Sequence, residues 1–287
     1  MPAYPTVAWA ILPTAGASLR TSTIGLSDGP HRHPCYRARV EAALIEPRSD
    51  APAGDLSGGA PPLHARWLGR VDYAEAHALQ KRLVDDRASG TIGDQLLLLE
   101  HPPVLTLGRQ SDPVHILATD AELAARGIAV ERTERGGEVT YHGRGQLVAY
   151  PIVRLHDRGL LVRPFVRALE AALVETCAAE GVPAARRDGH PGCWCDPDGA
   201  SPRKIGALGL RVERGVSYHG IALNVTVDLA DFELIDPCGM PGVESTSIAR
   251  ELGQPTAPPS TASVERAAGI FARAFAAAIG AALSVED

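Results

Sequence analysis

Hydrophobic positions recur at helical spacing over residues 73–88, where Tyr73, Ala76, Leu79, Leu83 and Val84 share one face. The run Gln95–Glu100 is apolar in its middle and reads as a buried strand. Pro102 and Pro103 interrupt the chain before a second strand over Val104–Leu107. A short helix is expected over 119–126, capped by Thr119 or Asp120. Val139–His142 and Gln146–Val153 read as a strand pair joined by the turn Gly143-Arg144-Gly145. The most periodic helix covers 163–180, with Val166, Leu169, Leu173 and Cys177 on one side and Gly181 ending it. Ala207–Arg214 and Ser217–Val227 read as two long strands with Gly215 in the hairpin turn. After Gly253, a loop rich in Pro and Thr leads to an Ala-rich helix over 262–283. This alternation predicts an α/β or α+β chain with one large domain over 63–287.

Before Leu63 the periodicity is missing. Residues 1–62 hold 15 Gly plus Pro, against 37 in the following 225, and end in Ser57-Gly-Gly-Ala-Pro-Pro62. They read as a poorly ordered N-terminal extension. No basic stretch precedes a long apolar one there, so no secretory signal is expected.

Charge and cysteine usage narrow the function classes. The formal net charge is -6, from 28 basic and 34 acidic residues, which argues against a general nucleic-acid binder. No apolar run approaches the ~20 residues of a membrane span. Five cysteines make a disulfide scaffold unattractive and favour a reduced, cytoplasmic setting. Of the basic residues, two are lysines, Lys81 and Lys204. A lysine retained where arginine serves everywhere else has one distinct ability, which is to give up its proton. Lys81 falls on an ordinary exposed helix face.

Several clusters hold chemistry-bearing side chains. Arg135-Gly136-Gly137-Glu138-Val139-Thr140-Tyr141-His142 sets paired glycines beside polar groups, where backbone can approach a ligand closely. Lys204 opens a strand of small and apolar residues, Ile205-Gly-Ala207-Leu208-Gly209. Ser217-Tyr-His-Gly220-Ile221-Ala222 repeats the Tyr-His-Gly triplet of residues 141–143, and the two His-Gly corners either share a pocket or end separate hairpins. Cys238 lies between Pro237 and Gly239 in a turn, where a thiol is open to substrate. His190-Pro-Gly-Cys193-Trp-Cys195 lacks a standard zinc spacing and reads better as strand cysteines beside a tryptophan.

Taken in order, these motifs resemble the lipoyl(octanoyl) transferases. The similarity is carried by Arg135–Leu147, Lys204–Arg211, Ser217–Val225 and Pro237-Cys-Gly239, with His101-Pro-Pro-Val-Leu-Thr-Leu-Gly108 upstream and Leu229–Ile235 before the cysteine. It covers about residues 63–255. Arg144 stands where the family usually has proline, and the segment Arg187–Arg203 looks longer than is typical. The resemblance implies the α/β catalytic fold of biotin and lipoate ligases, a mixed sheet flanked by helices. It also implies transfer of an octanoyl or lipoyl group from acyl carrier protein to a lysine of lipoyl domains. Those domains belong to 2-oxoacid dehydrogenases and the glycine cleavage H protein. Cys238 and Lys204 fall on the catalytic dyad. Arg135 to His142, Ala207-Leu208-Gly209 and Gly220-Ile221-Ala222 fall on the acyl-substrate site. No metal, nucleotide or redox cofactor is implied, and a monomer is the default.

The side chains make sense of that chemistry. A thiol exchanges with a thioester at nearly equal energy, but near a pKa of about 8.5 it is mostly protonated at neutral pH. A neighbouring ammonium favours the thiolate. Lys204 accepts the incoming amine's proton if burial lowers its own pKa from about 10.4. His142 is expected to orient the dyad or the substrate. Backbone N–H groups at Cys238, Gly239 or the glycine corners are candidates to hold the oxyanion. Acidic carrier proteins predict an arginine-lined entrance at Arg109, Arg135 or Arg144. The rival readings are an ATP-dependent ligase of the same fold, a non-catalytic acyl- or lipoyl-domain-binding module, and a Cys–His hydrolase using His142 or His219.

Overall fold

A computed structural model describes residues 61–254 and 261–286. All but the last two residues of the expected extension therefore lie outside the described residues, as does the Pro/Thr-rich segment 255–260. The elements in chain order are β1 (Leu63–Arg70), α1 (Tyr73–Ser89), β2 (Asp94–Glu100), β3 (Val104–Leu107), α2 (Asp120–Ala125), β4 (Ala129–Arg132), β5 (Val139–His142) and β6 (Gln146–Ile152). They continue as α3 (Val162–Ala179), β7 (Ala185–Arg187), β8 (His190–Cys195), β9 (Arg203–Glu213), β10 (Val216–Asn224), β11 (Glu244–Ser245), α4 (Ile248–Glu251), α5 (Thr261–Ala278) and β12 (Leu283–Glu286).

Among the described residues, a nine-stranded mixed sheet runs β12-β1-β2-β6-β10-β9-β8-β7, with β11 added beside β9. Helices α3 and α5 cover one face. Their Phe165, Leu169, Leu173, Phe271 and Phe275 pack on Leu96, Leu98, Ile221 and Leu223. Helix α1 covers the other face, with Leu79, Leu83 and Val84 against Leu97, Leu99, Tyr150 and Tyr218. Strands β2, β6 and β10 are buried on both sides, so they read as continuous apolar runs. A second sheet, β4-β3-β5, packs with α2 and the turn Leu229–Leu234 around Leu105, Val139, Tyr141 and Phe232.

Three expectations change. First, β5 and β6 do not pair: β5 lies against β3 in the small sheet, and β6 between β2 and β10 in the large one. The Gly143–Gly145 turn is the corner between the sheets. Gly145 adopts φ +83, donates its N–H to the buried Glu100 carboxylate at 2.7 Å, and accepts from Val225 and Thr226 at 3.1 and 2.8 Å. A Cβ there would meet the Thr226 carbonyl carbon at 2.7 Å, so this corner requires glycine. Second, the C-terminal helix stops at Ala278, and the chain turns at Gly280 (φ +64) into β12, which pairs in parallel with β1. Third, β9 begins at Arg203 and holds Lys204 inside its pairing, rather than starting at Ala207. Strands β1, β4, β7 and β12 had no counterpart in the periodicity reading. The β9–β10 hairpin turns through Arg214 and Gly215, both at positive φ (49 and 79), the geometry of a two-residue primed turn.

Candidate active site

Lys204 and Cys238 meet although they belong to different elements. Lys204 sits near the start of β9 and is 7% exposed. Cys238 sits in the turn Pro237–Gly239 and is half-buried. The Lys204 Nζ reaches the Cys238 Sγ at 3.1 Å. Cys238 takes φ 60 and ψ 26, a left-handed conformation that a non-glycine residue adopts at a cost of about 1–3 kcal/mol. Such a strained turn sets the thiol at the tip of a bend. Gly239 follows at φ +65, and a Cβ there would lie 2.8 Å from the Glu138 Cγ. The backbone brings the two halves together. Ser245 of β11 pairs with Lys204, and the Thr246 N–H donates to the Lys204 carbonyl at 2.9 Å.

Beneath the ammonium lies the indole of Trp194, 5.1 Å from Nζ to ring centroid. The Arg187 guanidinium is also over this ring, at 5.2 Å. Trp194 is fully buried and donates its N–H to the His190 carbonyl at 3.0 Å. Cys193 and Cys195, on the same strand, are buried core thiols, as expected of strand cysteines.

A small, partly open cleft lies at the Lys204–Cys238 pair. Of the residues expected from sequence, Thr140 and Ala207 line it along with the pair. Gln146, Asn224, Phe232 and Ser245 line it too and had not been singled out. The other expected residues build its surroundings. Arg135–Gly137 lies against the middle of β9: the Gly136 N–H donates to the Leu210 carbonyl at 2.9 Å, and a Cβ on Gly209 would meet the Gly136 oxygen at 2.9 Å. Leu208 pairs with Ile221, and Ala207 with Ala222. Ile221 packs in the α3/α5 core, and Val139 and Tyr141 in the small-sheet core. The Tyr141 hydroxyl donates to Asp231 at 2.7 Å, and burial beside that carboxylate holds the phenol well above its ordinary range. Glu138 accepts the Asp112 N–H at 3.1 Å.

Gly220 serves strand pairing. A Cβ on it would lie 2.0 Å from the Ala149 carbonyl oxygen of β6. Gly220→Ala is expected to force β6 and β10 apart and to destabilise the chain by about 1–3 kcal/mol or more, read from urea unfolding. An unchanged urea midpoint would mean that this close approach does not exist.

Arg135 is not at an entrance. It is 8% exposed, and its guanidinium bonds to neutral oxygens: the Thr106 carbonyl at 2.6 Å, the Thr106 hydroxyl at 2.9 Å and the Gly136 carbonyl at 3.0 Å. Burial pulls its pKa down, while the phenol of Tyr73 and the thiol of Cys238 pull it up. A cation buried this way adds positive potential at the thiol. Arg109 and Arg144 are exposed, as an entrance requires.

His142 does not touch the pair. It belongs to a chain of hydrogen bonds with one consistent direction. Arg135 donates to the Thr106 hydroxyl; that hydroxyl donates to His142 Nε2 at 3.3 Å, and His142 Nδ1 donates to Gln146 Oε1 at 2.8 Å. Gln146 Nε2 donates to Asn224 Oδ1 at 2.9 Å, Asn224 donates to the Thr246 carbonyl at 2.9 Å, and the Thr246 N–H reaches Lys204. The direction assigns His142 the neutral Nδ1–H form. Burial, then the neighbouring His101, lowers its pKa to about 3, in keeping with a neutral ring. The Gly239 N–H is already used, donating to the Asp236 carbonyl at 3.0 Å, which removes it from the candidate oxyanion donors.

The two Tyr-His-Gly corners share a location but not the cleft. Their imidazoles join one buried cluster: His142 lies beside His101 (5.8 Å between centroids) and His219 beside His77 (5.5 Å). Lys81 is not an ordinary surface lysine either. It pairs with Glu213 at 2.9 Å and lies over the Tyr218 ring at 4.9 Å.

Known proteins agree with this architecture. The family model for the lipoyl protein ligase A/B catalytic domain matches residues 72–276. An octanoyltransferase of Acidobacterium capsulatum is 47% identical over 221 residues, covering 74% of this chain and 90% of that protein. One from Chloroflexus aggregans is 50% identical over 200 residues, covering 69% and 88%. A lipoate-protein ligase A bound with ATP superposes with a TM-score of 0.57 at 15% identity, over 78% of this chain and 88% of its own. The bipartite lipoate protein ligase of Thermoplasma acidophilum gives 0.53 at 14% identity, over 80% and 87%. These two structures share the fold; the octanoyltransferases share the sequence as well. The chain belongs to the lipoyl protein ligase A/B catalytic-domain family, among its octanoyltransferases.

Proposed function

We propose that this octanoyltransferase carries the acyl group on Cys238 and uses Lys204 to move the protons. The observation that carries the reading is the 3.1 Å approach of Lys204 Nζ to Cys238 Sγ at the cleft. The donor is an octanoyl thioester of acyl carrier protein. The Cys238 thiolate attacks the thioester carbonyl, and the carrier's sulfur leaves and takes up a proton from Lys204. Neutral Lys204 then accepts a proton from the incoming lysine amine of a lipoyl domain as that amine attacks the acyl-cysteine. The C–S bond breaks, the amide forms, and the Cys238 sulfur departs as thiolate beside the restored ammonium. Arg135 supports both thiolate states from its buried position.

Apolar contacts suit the hydrocarbon of the acyl group. Phe232, Pro237 and Ala207 line the cleft, and each methylene buried contributes about 0.8 kcal/mol. The acceptors are the lipoyl domains of 2-oxoacid dehydrogenases and the glycine cleavage H protein. A cytoplasmic setting suits the chemistry: Cys177, Cys193, Cys195 and Cys238 are all free thiols among the described residues. No described helix is long and apolar enough to cross a membrane.

Intact-mass measurement after mixing with octanoyl-carrier protein, without ATP, tests the reading. A single octanoyl addition is expected on Cys238, discharged by a lipoyl domain. No adduct on a reduced thiol, with ATP-dependent consumption of free octanoate instead, would assign the chain to ligase chemistry.

A further inference from the structure

Away from the cleft, three donor groups from separate elements converge. His77 comes from α1, Glu134 from the segment between β4 and β5, and His219 from β10. Their ligand atoms all lie within 4.8 Å of one another. His77 Nε2 is 3.2 Å from one Glu134 oxygen, and His219 Nε2 is 4.0 Å from the other. We propose that His77, Glu134 and His219 bind a divalent late first-row metal ion, zinc by preference, as a clasp between α1, β10 and the segment leading to Gly136-Gly137.

The backbone places His219 there at a cost. Successive side chains of a strand point to opposite faces, so His219 should face away from Tyr218. Instead His219 takes φ 54 in mid-strand, and its ring stacks on that of Tyr218 with centroids 4.8 Å apart. The buried Gln80 holds the distortion by accepting the His219 N–H at 2.7 Å. Regular pairing with Leu210 continues through this residue, so the distortion redirects a side chain without ending the strand. What it gains is an imidazole beside a second imidazole and a carboxylate, with its Nε2 3.3 Å from the Thr133 hydroxyl, which turns aside when a metal takes that nitrogen.

The donor set suits the metal. Two imidazoles and a carboxylate with a fourth position open are an established ligand set for zinc. Tetrahedral donors about 2.1 Å from zinc sit roughly 3.4 Å apart, and rotation of the partly exposed His77 and Glu134 closes the remaining gap. Two neighbours of Glu134 already have another partner: Lys81 lies 2.9 Å from Glu213, and the Tyr218 hydroxyl 3.0 Å. Both can stay with Glu213 when a metal takes Glu134. Because Lys81 also lies 3.7 Å from a Glu134 oxygen, its charge opposes the metal.

The test uses the untagged full chain, dialysed against zinc and separately titrated with Co(II). Elemental analysis is expected to show one zinc equivalent per chain more in the wild type than in His77→Ala or Glu134→Gln. Co(II) should give visible bands of tetrahedral nitrogen–oxygen coordination that both variants lose, and no thiolate-to-cobalt charge transfer from this equivalent. Lys81→Met should tighten Co(II) binding severalfold. Equal metal content in the wild type and in both folded variants would overturn the proposal. So would binding accompanied only by thiolate bands, which would trace the metal to cysteines or to His31, His33 and Cys35. The variants keep foldability testable: His77 lies on a helix, where alanine is favoured, and Glu134→Gln preserves shape.

Discussion

Lys204→Arg should leave a folded protein that has lost octanoyl transfer by at least 10²–10⁴-fold, the range set by removing a general acid–base. Arginine keeps the charge beside Cys238 and keeps a cation over the Trp194 ring. It cannot release a proton near neutral pH, so proton transfer is lost while electrostatic support remains. Cys238→Ser removes the proposed nucleophile and should abolish both the octanoyl adduct and transfer. The two variants separate the steps. Single-turnover mixing with octanoyl-carrier protein should give no adduct for Cys238→Ser at any time. For Lys204→Arg, any adduct that forms should discharge slowly to the lipoyl domain. Turnover within a few-fold of wild type in Lys204→Arg would remove the lysine from proton transfer and leave it an electrostatic role.

Acid should unfold this protein steeply, starting between pH 6 and 5. Burial lowers the pKa of His101 to about 4 and that of His142 to about 3. Each value lies below the roughly 6.5 of an imidazole in the unfolded chain. Between these limits the unfolded state binds protons that the native state refuses, so stability is full above about pH 6.5 and falls as pH drops toward 4. With two such groups the slope approaches about 3 kcal/mol per pH unit near pH 5, at 1.36 kcal/mol per unit for each proton. Against a typical total of about 5–15 kcal/mol, that removes a large part of native stability within two or three units. Urea midpoints measured at pH 7.5, 6 and 5 check this. A midpoint that stays constant to pH 5 would mean that the histidines are not held neutral by burial.

The sequence carried the helices and the Lys204–Cys238 pair more clearly than it carried the sheet. Periodicity marked α1 and α3 because each buries one stripe against an apolar face. It could not tell that β5 and β6 part company, since two adjacent strands with a glycine turn look alike whether they pair or separate. The deciding contacts, Glu100 and Thr226 at Gly145, are 45 and 81 residues away in sequence. Strand β4 escaped because it is largely exposed and reads as Ala-Val-Glu-Arg. Arginine is ordinarily a surface residue, so sequence alone points Arg135 outward, and its burial depends on the distant Thr106 oxygens that receive its guanidinium. Gln146 and Asn224 are nonetheless legible in the sequence. Each is an amide at the end of an apolar strand, and a buried amide must find a partner.

Strand β11 is two residues long, yet it ties the cysteine's loop to the lysine's strand. Segments held by so few ladder bonds open locally without global unfolding, and their amide protons exchange with solvent at a rate set by that opening. The Thr246 amide, bonded to the Lys204 carbonyl, therefore serves as a clock for the assembled thiol–amine pair. Its exchange should be faster than that of amides in the middle of β6 or β10, and it should slow when an acyl group occupies the cysteine. On the proposed chemistry, reactivity in this chain is a population, the fraction of time two short backbone segments spend zipped together.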